Sequence, residues 1–412
     1  MTTYRINEHI YHPGTTDFDA ALVDAHARRI RPVCMCLGRG VEMYVAKIAG
    51  KFYIKRMPGT GAHHAPVCDS YEEPQELSGL GQVMGTAITE NPDDGLTNLK
   101  LNFSLTKMGA RAKPLPSSAE SDSVKTDGNK LTLRGTLHYL WKEAGFHRWS
   151  PSMEGKRNWF VVRKYLLDAA ANMTTKGAGL VDVLYIPESW SLEHKKEIAS
   201  RRISQITKAT APIKGAKRLM IVIGEIKEIS PSRYSSDIIF KHLPDCTFHI
   251  NEDLHDRLKK RFSVEMALCA ALEGTHLMAI GTFSVDVSGL VSIEELALMA
   301  TTENWIPFDN THEKELIDGM THSHRRFVKG LRYNLPSSRP LACLVANDTL
   351  PTPTALYIIP PNATEDFQDA LEQMVQSSEL TSWIWNAGED AMPSLPADSS
   401  THYRWPKGQS GR

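Results

Sequence analysis

Three of the six cysteines, Cys34, Cys36 and Cys68, fall in one stretch that also holds His63 and His64. Thiolates and imidazoles are the ligands zinc prefers, and four of them close a tetrahedral structural site. A chain with this cluster must fold so that Cys34-Met-Cys36 meets the distant run from Pro58 to Cys68. Residues i and i+2 on a strand face the same way, so Cys34 and Cys36 can reach one ion together. The segments VEMYVAK and FYIKRM flank the short connection IAGK, which predicts a β-hairpin. Pairing Lys47 with Phe52 and continuing that register sets Cys36 opposite His63. The expected ligands are Cys34, Cys36, His63 and Cys68, with His64 beside the site and Zn²⁺ as a structural cofactor. The competing readings are buried cysteines with incidental histidines, or a redox pair.

Cys246, Cys269 and Cys343 stand among apolar neighbours and read as small buried hydrophobes. Six cysteines in 412 residues are too few for a disulfide-dense secreted scaffold. No apolar run approaches the roughly 18 to 20 residues of a membrane span. The polar N-terminus, Met1 to His12, lacks the order of a signal peptide. A cytoplasmic location with no membrane partner is expected. Net charge is −1, so any basic surface must be a local patch.

The length exceeds that of most single cores, and the pattern predicts an α+β chain of several parts. Residues 1–110 read as a zinc-binding, β-rich domain with an N-terminal helix capped by Thr16. Residues 111–130, rich in Pro, Ser, Asp and Gly, read as a linker. Two helices are expected in 131–175, near 131–144 and 157–173. Residues 176–387 alternate apolar strands (GLVDVLYI, RLMIVIGEI, HLMAIGTFSV, PLACLVAN, TALYIIP) with helices near 190–207, 252–272, 311–331 and 364–377, which predicts a mixed α/β core. Residues 388–412 read as a flexible tail.

RPVCMC, YIKRMPGTGAHHAPVCDSYEEP, SGLGQVMGTAI, LHYLWKEAGFHRWSP and FVKGLRYNLP together resemble a domain-of-unknown-function family, number 1173, carried on bacterial conjugative plasmids and integrating elements. The resemblance runs from about residue 30 to 360. It implies no activity, only a setting of DNA transfer, replication and maintenance, with other proteins of a mobile element as partners.

Between residues 142 and 164 the cations Arg148, Lys156, Arg157, Arg163 and Lys164 alternate with rings, Trp149 foremost. Cations neutralise phosphates and rings stack on exposed bases, so this segment is the candidate contact for nucleic acid, DNA ahead of RNA. The same residues also fit two amphipathic helices whose apolar stripes face a core. Asp182, Glu225 and Lys227 sketch the metal-holding carboxylates and lysine of a restriction-endonuclease-like nuclease. A second such pattern, a helix ending FVKGLRYN followed by ACLVAND and TALYII, lacks the carboxylate. His322 and His324 read as a polar helix face. No phosphate-cradling Gly-x-x-x-x-Gly-Lys and no nucleophile elbow occurs. The expected function is that of a zinc-stabilised nucleic-acid-binding accessory protein, with a metal-dependent nuclease or a protein–protein adaptor as alternatives.

Overall fold

The computed structural model describes residues 2–48, 50–107, 128–210, 216–231 and 236–399. Most of the expected linker, 111–127, and the tail 400–412 lie outside the described residues.

The N-terminal part is a five-stranded antiparallel sheet. Its strands are β1 (Tyr4–Ile6), β2 (His9–Tyr11), β3 (Val33–Cys34), β4 (Val41–Ile48) and β5 (Lys51–Arg56), in spatial order β2-β1-β3-β4-β5. Helix α1 (Thr16–Ala27) covers one face, burying Phe18, Leu22 and Ala25 against Ile6 and Val45. Its first turn is capped by Thr15, whose hydroxyl accepts from the Phe18 N–H at 3.3 Å, rather than by the expected Thr16. The β4–β5 hairpin pairs Lys47 with Phe52, the register read from sequence.

Helix α2 (Leu133–Glu143) and helix α3 (Trp159–Ala170) flank a two-residue strand, β6 (Arg148–Trp149). Helix α4 spans Lys195–Ile206. The segment GLVDVLYI yields only the short strand Leu184–Tyr185, because Leu180–Asp182 coil into a 3-10 turn.

From residue 220 the chain builds a barrel. Strands β7 (Met220–Pro231), β8 (Ser236–Phe240) and β9 (Thr247–Ile250) pair antiparallel in succession. Helices α5 (Glu252–Arg261) and α6 (Ser263–Ala271) follow, separated at Phe262, where one helix over 252–272 was expected. Then come β10 (His276–Val285) and β11 (Val291–Thr301). β11 lies parallel to β9 and antiparallel to β10, and β10 returns to pair antiparallel with β7. The ring is thus closed in the order β7-β8-β9-β11-β10-β7. Phe240, Phe248 and Phe283 meet edge to face inside it. Gly224 makes room for them, since a Cβ there would lie 2.7 Å from the Phe240 ring. Helices α2 and α3 share one continuous core with this barrel, from Leu137 and Trp159 to Ile280. The stretch 176–387, read as a mixed α/β core, is thus divided between this barrel and a further sheet.

Beyond helix α7 (Thr311–His322) the chain adds strands β12 (Phe327–Lys329), β13 (Leu344–Ala346) and β14 (Thr354–Ile359), helix α8 (Glu365–Ser377) and strand β15 (Thr381–Asn386). These strands and β6 form a second sheet, ordered β15-β14-β13-β12-β6. FVK is therefore a strand and not a helix end; left-handed backbone at His324 (φ 53°) stops α7 just before it. Residues 388–399 carry no regular element, yet they are held: the Trp383 indole donates to Ser394 O at 3.0 Å and Ser399 N to Asp348 O at 2.8 Å. Among the described residues no helix is long and apolar enough to cross a membrane.

Candidate metal centre

Four side chains from two separate segments converge beneath the N-terminal sheet. Cys34 ends β3, where it pairs with Val41 and Tyr4, and Cys36 follows in the bend toward β4. The other two come from the loop after β5. A 3-10 turn over Gly61–His63 leads into His64, and Cys68 closes a turn in which its N–H donates to Ala65 O at 2.8 Å. The ligand atoms of Cys34, Cys36, His64 and Cys68 all lie within 4.8 Å of one another. Cys34 Sγ is 3.8 Å from Cys68 Sγ, and His64 Nδ1 is 3.4 Å from Cys36 Sγ and 3.8 Å from Cys68 Sγ. Backbone N–H groups of Ala65 and Ser70 donate to Cys36 Sγ and Cys68 Sγ, each at 3.4 Å, which favours thiolate charge. The hydrogen bond from Cys34 and the Ser70 N–H hold the Cys68 thiol down at about 5, while the Cys34 thiol moves the opposite way. This arrangement can hold a metal ion.

The histidine differs from the one expected. His63 is exposed, whereas His64 is only 2% exposed and turns its Nδ1 to the sulfurs. The hairpin register was sound, but it ends at Met43–Arg56. Residues 35–40 fold back so that Cys34 pairs with Val41, and extending the register to Cys36 therefore fails. The 3-10 turn then points His63 outward and His64 inward.

Glu72, four residues past Cys68, is buried and ties this loop to the core. Its carboxylate meets Arg56 at 2.5 Å, Lys142 of α2 at 2.7 Å and Arg148 at 3.9 Å. Burial alone would raise the Glu72 carboxyl, but these cations outweigh it and hold it below the ordinary carboxylate range. Nothing in the sequence marked Glu72, because its partners are 16 or more positions away.

Most of the candidate nucleic-acid residues serve packing. Trp149 is 4% exposed, within the core under the second sheet, and cannot stack on a base. The Arg157 guanidinium donates to the carbonyls of Asn304, Phe146 and Gly145 at 2.9–3.3 Å, and burial lowers it to about 10. Arg148 is spent on Asp69 O, Tyr71 O and Glu72, and Arg163 Nε donates to Ile186 O at 3.0 Å. Lys156 and Lys164 remain exposed, Lys164 beside Asp168 at 3.0 Å.

The nuclease set does not assemble. Leu184 pairs in parallel with Ile221 and Tyr185 with Val222, so Asp182 stands level with the start of β7. Glu225 lies roughly six residues, or roughly 20 Å, further along, and carboxylates more than about 8 Å apart cannot share one ion. Glu225 is instead buried, 2.9 Å from Lys241 Nζ and 2.8 Å from His276 Nδ1. Lys227 is the extra residue of a β-bulge between Ile226 and Glu228, which breaks the alternation that would have aligned it with Glu225. His322 is exposed, with Nδ1 2.7 Å from Asp318 O, and is a helix-face residue.

No curated protein and no solved structure matches the chain. The family model described as "Protein of unknown function (DUF1173)" matches residues 4–388, and the chain belongs to that family.

Proposed function

We propose that the protein is a zinc-stabilised, cytoplasmic nucleic-acid-binding protein, an accessory of a mobile DNA element, and that it takes single-stranded DNA ahead of RNA on its barrel. The observation that carries this reading is the closed strand order β7-β8-β9-β11-β10-β7 with helices inserted between β9 and β10. That is the connectivity of an OB-fold, whose second and third strands bind oligonucleotides. Here those strands are β8 and β9, whose outer face carries Asp237, Ile239, Thr247 and His249, with the bulged Lys227 at one flank. At the end of β8, Lys241 is exposed and His242 stacks on Trp159 of α3 at 5.2 Å. Trp190, 40% exposed, donates its backbone N–H to His242 Nδ1 at 3.5 Å, and Phe160, beside Trp159, is 65% exposed. The ring-and-cation segment thus adjoins the barrel strand end, with Phe160 and Lys156 exposed, and Lys164 exposed beside Asp168, in place of Trp149, Arg157 and Arg163.

The metal spacing supports zinc. Tetrahedral Zn²⁺ with bonds of about 2.3 Å to sulfur and about 2.05 Å to nitrogen sets sulfurs about 3.8 Å apart and sulfur about 3.6 Å from nitrogen. Three of the six separations, 3.8, 3.4 and 3.8 Å, lie close to those values, and all six are within 4.8 Å. Three thiolates and an imidazole leave no open position, which fits a structural ion and not a catalytic one.

Anisotropy titrations of labelled oligonucleotides at several salt concentrations test the nucleic-acid reading. Single strands are expected to bind more tightly than duplex, with a log–log salt slope of about −0.7 for each phosphate neutralised. Trp190→Ala and Phe160→Ala are each expected to cost roughly 1–3 kcal/mol if the ring stacks on a base, and Lys227→Glu to flatten the slope. Wild-type binding in all three folded variants, or no binding at low salt, would overturn it.

A further inference from the structure

Between the metal loop and helix α8 runs a groove of about 830 Å³. One wall is a continuous stripe of α8, Ala370, Gln373, Met374 and Ser377, at the i, i+3, i+4, i+7 spacing of a single helix face. Phe367 and Leu371 are the core-facing residues of α8 and Met374 packs partly against the same core, which leaves Ala370, Gln373 and Ser377 turned to the groove. The opposite wall is Pro66, Tyr71 and Pro74 from the metal loop, and Pro353 and Leu380 also line the groove. Small residues on the helix and proline rings opposite admit side chains, but the prolines offer no N–H for strand addition.

Two further features specify the occupant. The groove is lined by Glu76 and Glu379 and by no lysine or arginine, and α8 itself carries Glu365, Asp366, Asp369 and Glu372 without a cation. Such a rim attracts basic chains and rejects acidic ones. His64 also lines the groove, and its Nε2 is buried without a hydrogen-bond partner. A histidine that gives Nδ1 to a metal ordinarily donates its other N–H to a carbonyl or carboxylate. Solvent does not touch this nitrogen with the groove empty, so an occupant's backbone carbonyl supplies the missing acceptor only where the metal loop opens toward the groove.

We infer that this groove is a docking site for a short basic peptide segment of a partner protein, with an aromatic or aliphatic side chain seated between Met374 and Tyr71. The Nε2 argument rests on the metal centre above, so metal content is measured in every variant, and a groove that fails with its metal intact fails by itself.

The test selects from a random dodecapeptide display library on the metal-loaded, full-length chain, then titrates synthetic copies of the selected peptides. Enrichment of peptides with two or more Lys or Arg around an apolar residue is expected. Their affinity should fall about ten-fold or more in Ala370→Arg, which fills the groove, and by a smaller factor in Glu76→Lys/Glu379→Lys. Gln373→Lys serves as a second blocking variant if Ala370→Arg melts early. No enrichment, enrichment of acidic peptides, or unchanged affinity in the blocking variants would overturn the proposal. A parallel selection uses the Arg404→Glu/Lys407→Glu chain. Enrichment on that chain alone would mean that the protein's own C-terminus fills the groove, and would also overturn a partner as occupant.

Discussion

Cys34→Ser and His64→Gln chains are expected to purify with almost no bound metal, while His63→Gln keeps about one ion per chain. The asymmetry between neighbouring histidines follows from geometry: His64 Nδ1 lies 3.4 Å from Cys36 Sγ, and His63 faces solvent. The consequence for stability is large. Structural zinc contributes about 10–16 kcal/mol in finger peptides at neutral pH, comparable to the whole stability of a domain, about 5–15 kcal/mol. Cys34 also sits in the middle of its sheet, since β3 is the strand that joins β1 to β4. Without the ion, the loop from Gly61 to Tyr71 is held by its turns, by the small cluster around Cys34, Val41 and Met43, and by hydrogen bonds from Arg148 to Asp69 O and Tyr71 O and from Asn347 to Pro66 O. Limited proteolysis is therefore expected to cut within residues 31–75 in Cys34→Ser and His64→Gln, and to leave the barrel intact. Acidification should mimic these variants as protons displace the ion from its thiolates. Metal analysis by mass spectrometry decides the matter: full occupancy in Cys34→Ser or in His64→Gln would remove the site.

How much of this was legible in the sequence depended on how local the determining contacts are. The β4–β5 hairpin was legible because its register follows from a short turn and alternating residues. Three of the four ligands were legible because cysteines are few. The fourth was not, since the choice between His63 and His64 turns on a single 3-10 turn that no periodicity announces. The barrel strands were each visible as apolar runs, but closure depends on β10 returning to β7 and on β9 lying beside β11. Those pairings link positions tens of residues apart and leave no signal in either strand alone. The basic, aromatic stretch misled for a related reason. An arginine whose guanidinium fills a cage of backbone carbonyls, as Arg157 does, has the same letter as one that awaits a phosphate. Only burial separates the two.

Glu72→Gln is expected to destabilise the folded chain by roughly 3–5 kcal/mol, the cost of leaving buried charges without their partner. The carboxylate is the shared counterion of Arg56, Lys142 and Arg148, and removing it leaves Lys142 with Glu143 alone at 2.9 Å. Arg56 and Lys142 come from different parts of the fold, β5 and α2, so the loss falls on the joint between the metal-bearing sheet and the core. An exposed pair such as Arg28–Asp24, at 3.2 Å, sets the contrast: Asp24→Asn should cost no more than about 1 kcal/mol. The pH dependence has a definite sign. The carboxyl of Glu72 is depressed in the folded state, so its stabilisation is complete above the ordinary carboxylate range and disappears as pH falls through the depressed value. In Glu72→Gln that component of the acid transition should be absent. Denaturant titrations at neutral and acidic pH, with metal content held at one ion per chain, measure both effects. Lys142→Met in the Glu72→Gln background should recover part of the loss, because it removes one of the charges left unpaired. A Glu72→Gln chain within about 1 kcal/mol of wild type at neutral pH would mean that the Glu72 cluster does not hold the sheet to the core.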